Sequence, residues 1–177
     1  MSKNIKIKSY GTLKVNLDKV KDLEEQLAKN YSVKVGILGS GNARKNTVTT
    51  ANGKRKAGKE DSNITNAQIG LLQEKGSLSR NIPRRSFLMM PLQTKLPDYV
   101  SRIGNYFYQS LETGDIKKAY SMTGLLAESI IQRAFATRGF GKWAKNSPYT
   151  IMMKGSDSPL IDTSQLRKSI TSTVVTG

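Results

Sequence analysis

Residues 5–17, IKIKSYGTLKVNL, alternate apolar and polar positions with a break at Gly11, the pattern of a half-buried strand or hairpin. Asp18 then offers a helix cap, and Val20, Leu23 and Leu27 recur at helical spacing, which predicts a helix over 19–30. Alternation returns in 32–38, where Val33, Val35 and Ile37 share one face of a strand. From Gly39 to Asn63 no period survives. That stretch is rich in Gly, Asn, Thr and Lys, and its length predicts an extended or flexible basic loop over 40–62.

Helical spacing resumes over 64–75, where Thr65 and Gln68 form a capping-box pattern and Gly76 a stop. A turn-rich link, 77–85, leads to the apolar run Phe87–Leu92. Two longer helices are predicted at 97–112 and 115–137, joined at Gly114 and Asp115. The string 138–141, RGFG, ends the second. Ser147 and Pro148 predict a short helix over 148–154, and a further one lies in 160–169, entered through Asp162 or Thr163. Residues 170–175 read as a Thr/Val-rich strand. Strands near both ends with helices between them predict an α+β fold: a small, mostly antiparallel sheet packed against two or three helices. The length of 177 residues fits one domain spanning 1–177.

Charge narrows the function. The chain carries 29 basic and 13 acidic residues, a formal charge of +16. The excess concentrates in 40–85, while the helical block 86–137 is almost neutral and reads as the scaffold. Such a charge calls for an anionic partner, whether nucleic acid, acidic protein or membrane face. Cys and His are both absent. No thiolate metal site, thiol nucleophile or Ser-His-Asp triad can therefore exist, and no carboxylate pair stands out for acid/base work. The expectation is a protein without enzymatic activity or cofactor. No apolar run reaches membrane-spanning length, and the first residues contain no signal-peptide apolar stretch.

The segment 53–59, GKRKAGK, has most of a phosphate-binding loop, but Glu60 replaces the magnesium-binding hydroxyl and no strand leads in. Gly39-Ser-Gly41 fails as a dinucleotide turn because Arg44 occupies the third glycine position. The cluster Arg44, Lys45, Lys54, Arg55, Lys56 and Lys59 suits phosphates or an acidic protein. It contains no aromatic residue for stacking on bases. A small nucleic-acid-binding protein thus stands as one alternative. Asp162 reads as a helix cap.

Two strings carry a resemblance. The first is 67–76, AQIGLLQEKG, followed by 81–88, NIPRRSFL; the second is 159–171, PLIDTSQLRKSIT. In order and spacing they resemble the tail-completion, or virion-morphogenesis, proteins of long-tailed bacteriophages, over roughly 18–176. Members typically have a helix ending in Glu-Phe-Gly, then Pro-x-Arg-Pro-Phe-Leu, then Leu-Ile-Asp-Thr-Gly-x-Leu-x-x-Ser-Ile. Here Lys75, Ser86 and Ser164 depart from that pattern, and 39–63 is expanded.

The resemblance implies a structural virion protein at the neck. It would be assembled in the host cytoplasm as a homo-oligomeric, hexameric ring that completes the tail and joins it to the head. The implied neighbours are neck, connector or tail-tube proteins, with genomic DNA in the channel and no membrane. A tail terminator capping the tube is the alternative within the same assembly. On the residues themselves, Pro83 should hold Arg84 and Arg85 on a stiff exposed turn with Phe87 as core anchor. Asp162 or Thr163 should start a helix that buries Leu160, Leu166 and Ile170. The eight cations named above are the expected interface or phosphate contacts.

Overall fold

A computed structural model of the protein describes the backbone of residues 2–7 and 11–177, and the side chains from residue 17 onward except Ser40. Strands β1 (Ser2–Ile7) and β2 (Gly11–Asn16) pair as an antiparallel hairpin, Ile5 opposite Leu13. Helix α1 (Leu17–Ala28) follows directly. Asp18 sits inside its first turn rather than capping it, where its charge still meets the positive end of the helix dipole.

Strand β3 (Tyr31–Ile37) pairs antiparallel with the last strand, β6 (Ile170–Thr176), from Tyr31 opposite Thr176 to Ile37 opposite Ile170. Between them run α2 (Asn66–Lys75), α3 (Met89–Lys95), α4 (Val100–Thr113), α5 (Ile116–Ala136), α6 (Pro148–Lys154) and α7 (Gln165–Lys168). The fold is α+β, and every strand pairing among the described residues is antiparallel. The sheet is divided: three two-stranded ladders replace one continuous sheet.

Helix α5 organises the core. Leu126, Ile130, Ile131, Ala134 and Phe135 are buried on it, and it packs against β3, β6, α3 and α4. Its start is fixed by Asp115, whose carboxylate accepts from the Lys118 N–H at 3.1 Å. Gly114 precedes it at φ 81°, a left-handed turn that a side chain would strain. Where α5 crosses the sheet there is no room for a side chain. A Cβ on Gly124 would sit 2.6 Å from Ser172 Oγ. The Glu128 carboxylate, one turn on, accepts from Ser172 N at 2.5 Å and Ser172 Oγ at 2.6 Å, locking helix to strand. Phe87, fully buried, lies 5.5 Å from the Phe135 ring, which meets Trp143 edge-on at 5.6 Å.

Two segments differ most from the sequence reading. Residues 40–62 are not an irregular loop: after a 3₁₀ turn at Gly39–Asn42 they form a hairpin of β4 (Lys45–Thr49) and β5 (Arg55–Asp61). The β-branched run Thr47, Val48, Thr49 supplies strand preference without an apolar face. Gly53, at φ 76°, turns the chain. The second is α3, which the apolar run 87–92 did not reveal as a helix. Pro91 lies in its first turn, where the missing N–H costs nothing.

Candidate functional site

The first family-like string is folded around one carboxylate. Glu74, near the C-terminal end of α2, accepts from the backbone N–H groups of Phe87 at 2.8 Å, Leu88 at 2.9 Å and Met89 at 3.2 Å. It also accepts from the Ser86 hydroxyl. The Leu88 and Met89 N–H groups are orphan donors at the start of α3, and Ser86 Oγ accepts the next, from Met90 at 2.9 Å, so Glu74, with Ser86, caps a helix more than ten residues away. Pro83 and Arg84 are exposed, as expected, and Arg84 Nε donates to the Glu74 carbonyl at 3.1 Å.

Arg85 overturns the expectation. It is buried, not part of an exposed turn. Its N–H bonds the Gln73 carbonyl at 2.8 Å, while Nε and Nη2 donate to the Ala144 and Lys145 carbonyls at 2.8 Å each. Burial pulls its pKa down. The third nitrogen, Nη1, has no partner among the described residues and no carboxylate lies against it.

The second string also departs in two respects. Leu166 and Ile170 enter the core with Phe87, as expected, whereas Leu160 only packs against it half-buried. Helix α7, however, is entered at Ser164, held at φ 60°, and neither Asp162 nor Thr163 caps it. Thr163 Oγ1 accepts from Gln165 Nε2 at 2.9 Å. Asp162 instead pairs with Arg55 Nη2 at 3.2 Å.

The six-residue cationic cluster splits accordingly. Arg55 also donates to the Met153 carbonyl at 3.3 Å. Arg44 Nη1 donates to Asn66 Oδ1 at 3.0 Å. Lys45 pairs with Asp61 at 2.8 Å, and its backbone N–H and C=O are both gripped by the Gln165 amide, at 2.7 and 3.1 Å. These three pin the hairpin to the body. Lys54, Lys56 and Lys59 remain exposed and free to meet a partner.

The two strings face each other across a cleft of about 590 Å³, with Ile82 and Pro83 on one side and Leu160 and Asp162 to Leu166 on the other. Arg44, Arg85, Lys145 and Lys154 line it against a single carboxylate, Asp162. Lys154 Nζ donates to the Ser158 carbonyl at 2.8 Å. Burial lowers the Lys154 pKa, Asp162 and Asp157 work against that, and Arg85 and Arg55 add to it. Burial likewise lowers Arg44, with Asp162 opposing. Two lining atoms are buried without any hydrogen bond: Gln73 Oε1 and Asn146 Nδ2. The arrangement can hold an anion. No group of three or more metal-ligating side chains occurs among the described residues, and no helix there is long and apolar enough to cross a membrane.

Of these residues, Glu74 carried a readable signal: a carboxylate at a helix C-terminus faces the wrong end of the dipole unless it bonds elsewhere. Lys154 and Asn146 gave none, because only the fold brings them to the cleft. No protein-family model, curated protein or solved structure matches the chain.

Proposed function

We propose that the protein is a structural virion protein of a long-tailed bacteriophage, a ring subunit that completes the tail and joins it to the head. The observation that carries this reading is the union of the two family-like strings. They lie far apart in sequence, yet Phe87 from one and Leu166 and Ile170 from the other share one core cluster. Two separate string likenesses thereby become one folded unit. The surface supports an assembly role. Leu78 is fully exposed, and Leu71, Tyr149 and Met152 are largely so, large apolar side chains of the kind that subunit contacts cover. The β4–β5 hairpin, with Lys54, Lys56 and Lys59 outward, is an arm suited to the head-to-tail contacts that close a ring.

The test is a Lys54→Glu/Lys56→Glu/Arg84→Glu variant expressed during infection, with particles counted by electron microscopy. Heads and tails should form and accumulate unjoined, and the purified wild type should give a ring by native mass spectrometry. Tails of uncontrolled length would favour the terminator role. Normal joining with lost, salt-dependent duplex affinity would favour nucleic-acid binding. A monomer with normal joining and unchanged DNA affinity would refute all three.

A further inference from the structure

The cleft between the two strings holds more cationic character than its surroundings explain. Arg85 is only 8% exposed, yet its two bonded nitrogens face neutral carbonyls. A buried guanidinium without a counter-charge is costly unless an anion completes it. The one carboxylate in the cleft, Asp162, is already engaged by Arg55. Arg44 and Lys154 line the same space, each with one hydrogen bond and donors to spare.

A second observation is independent of charge. Asn146 is 9% exposed and its Nδ2 has no acceptor, while Gln73 Oε1 in the same cleft has no donor. A phosphate or a free carboxylate offers acceptors alone and would satisfy only the first. A peptide group offers both an N–H and a C=O. The walls include Ile69, Leu160 and Leu166, which suit apolar side chains rather than a DNA backbone.

We propose that this cleft binds an extended acidic peptide segment of a partner protein, its carboxylates held by Arg85, Arg44 and Lys154 and its backbone by Asn146 and Gln73. The peptide comes from another chain. This protein's own acidic run, Asp22 to Glu25, is wound into α1, and Asp61 is tied to Lys45 within the hairpin. The cleft chemistry is the same whichever assembly the protein enters, so this proposal and the phage reading can fail separately.

The test uses the full chain and a fluorescent peptide of alternating Glu and Leu, with a Gln/Leu peptide as neutral control. Anisotropy at physiological ionic strength should show binding of the acidic peptide alone. Arg44→Gln and Lys154→Gln should each weaken it roughly tenfold or more, because each removes a desolvated charge partner. Lys54→Gln, which lowers net charge equally but lies outside the cleft, should change it less than about twofold. In the wild type, the Asn146 side-chain amide signals should shift on titration, a readout that needs no variant to fold. Any of five results overturns the proposal: no binding, equal binding of the neutral peptide, or equal loss in all three variants; Asn146 shifts produced as well by duplex DNA or inorganic phosphate; or shifts that follow protein concentration without peptide, marking a second copy as the occupant.

Discussion

Replacing Glu74 with Ala removes one side chain and unties four donors. Three are backbone N–H groups at 2.8–3.2 Å and the fourth is the Ser86 hydroxyl. A hydrogen bond to a charged acceptor contributes about 1.5–3 kcal/mol, and an ordinary helix cap about 0.5–2 kcal/mol. The four do not add, because Glu74 is half-buried and water can reach part of the vacated space. We expect a loss of about 3 kcal/mol, which for a chain of this size lowers Tm by roughly 6–12 °C. Glu74→Gln keeps one acceptor oxygen and should lose about half as much. Trp143, the sole tryptophan, donates to the Ser86 carbonyl at 2.9 Å, so its fluorescence reports on this region during urea unfolding. A loss below about 0.5 kcal/mol for Glu74→Ala at unchanged m-value would refute the cap. So would equal losses for Ala and Gln, since geometry would then count for nothing.

Arg85→Ala should cost about 2–4 kcal/mol by urea unfolding, since it orphans the Ala144 and Lys145 carbonyls, whereas Arg84→Ala should stay within about 0.5 kcal/mol; equal effects would contradict the different burial of the two. Limited trypsin digestion should cut first at Lys54 in the β4–β5 turn and spare Lys45, whose backbone is held by Gln165; first cleavage in α5 would contradict the placement of the core.

Helix α5 was legible nearly to the residue because its apolar spacing, its Asp115 cap and its Gly114 turn all agree. The capping box of Thr65 and Gln68 and the Ser147–Pro148 start of α6 were equally local, and both stand as read. The β4–β5 hairpin escaped because its strands bury almost no apolar surface; Val48 is their one large apolar residue and is itself exposed. Its anchors, Arg55 to Asp162 and Lys45 to Gln165, join residues more than a hundred positions apart. That distance also hid the role of Asp162, while the α3 cap, only 12–15 positions away, escaped because it joins a helix end to a later turn rather than neighbours within one element. Arg85 misled for another reason: an arginine two residues after an exposed proline is ordinarily solvated, and the carbonyls at 144 and 145 that draw it inward come from a distant segment.

The pairing of β3 with β6 has a consequence for how the chain is made. Roughly 130 residues separate the two strands, and at about 5–20 residues per second a ribosome needs on the order of ten seconds to span that gap. During that interval β3 exists without its ladder, a Val-rich edge open to any other nascent strand. The central ladder therefore closes last, after α5 can already have formed the surface that receives it, and closing so long a segment carries the entropy cost that slows folding of distant pairs. Lys34, in the middle of β3 and exposed, puts a charge on that waiting edge, the kind of residue that discourages wrong partners until the right one is synthesised.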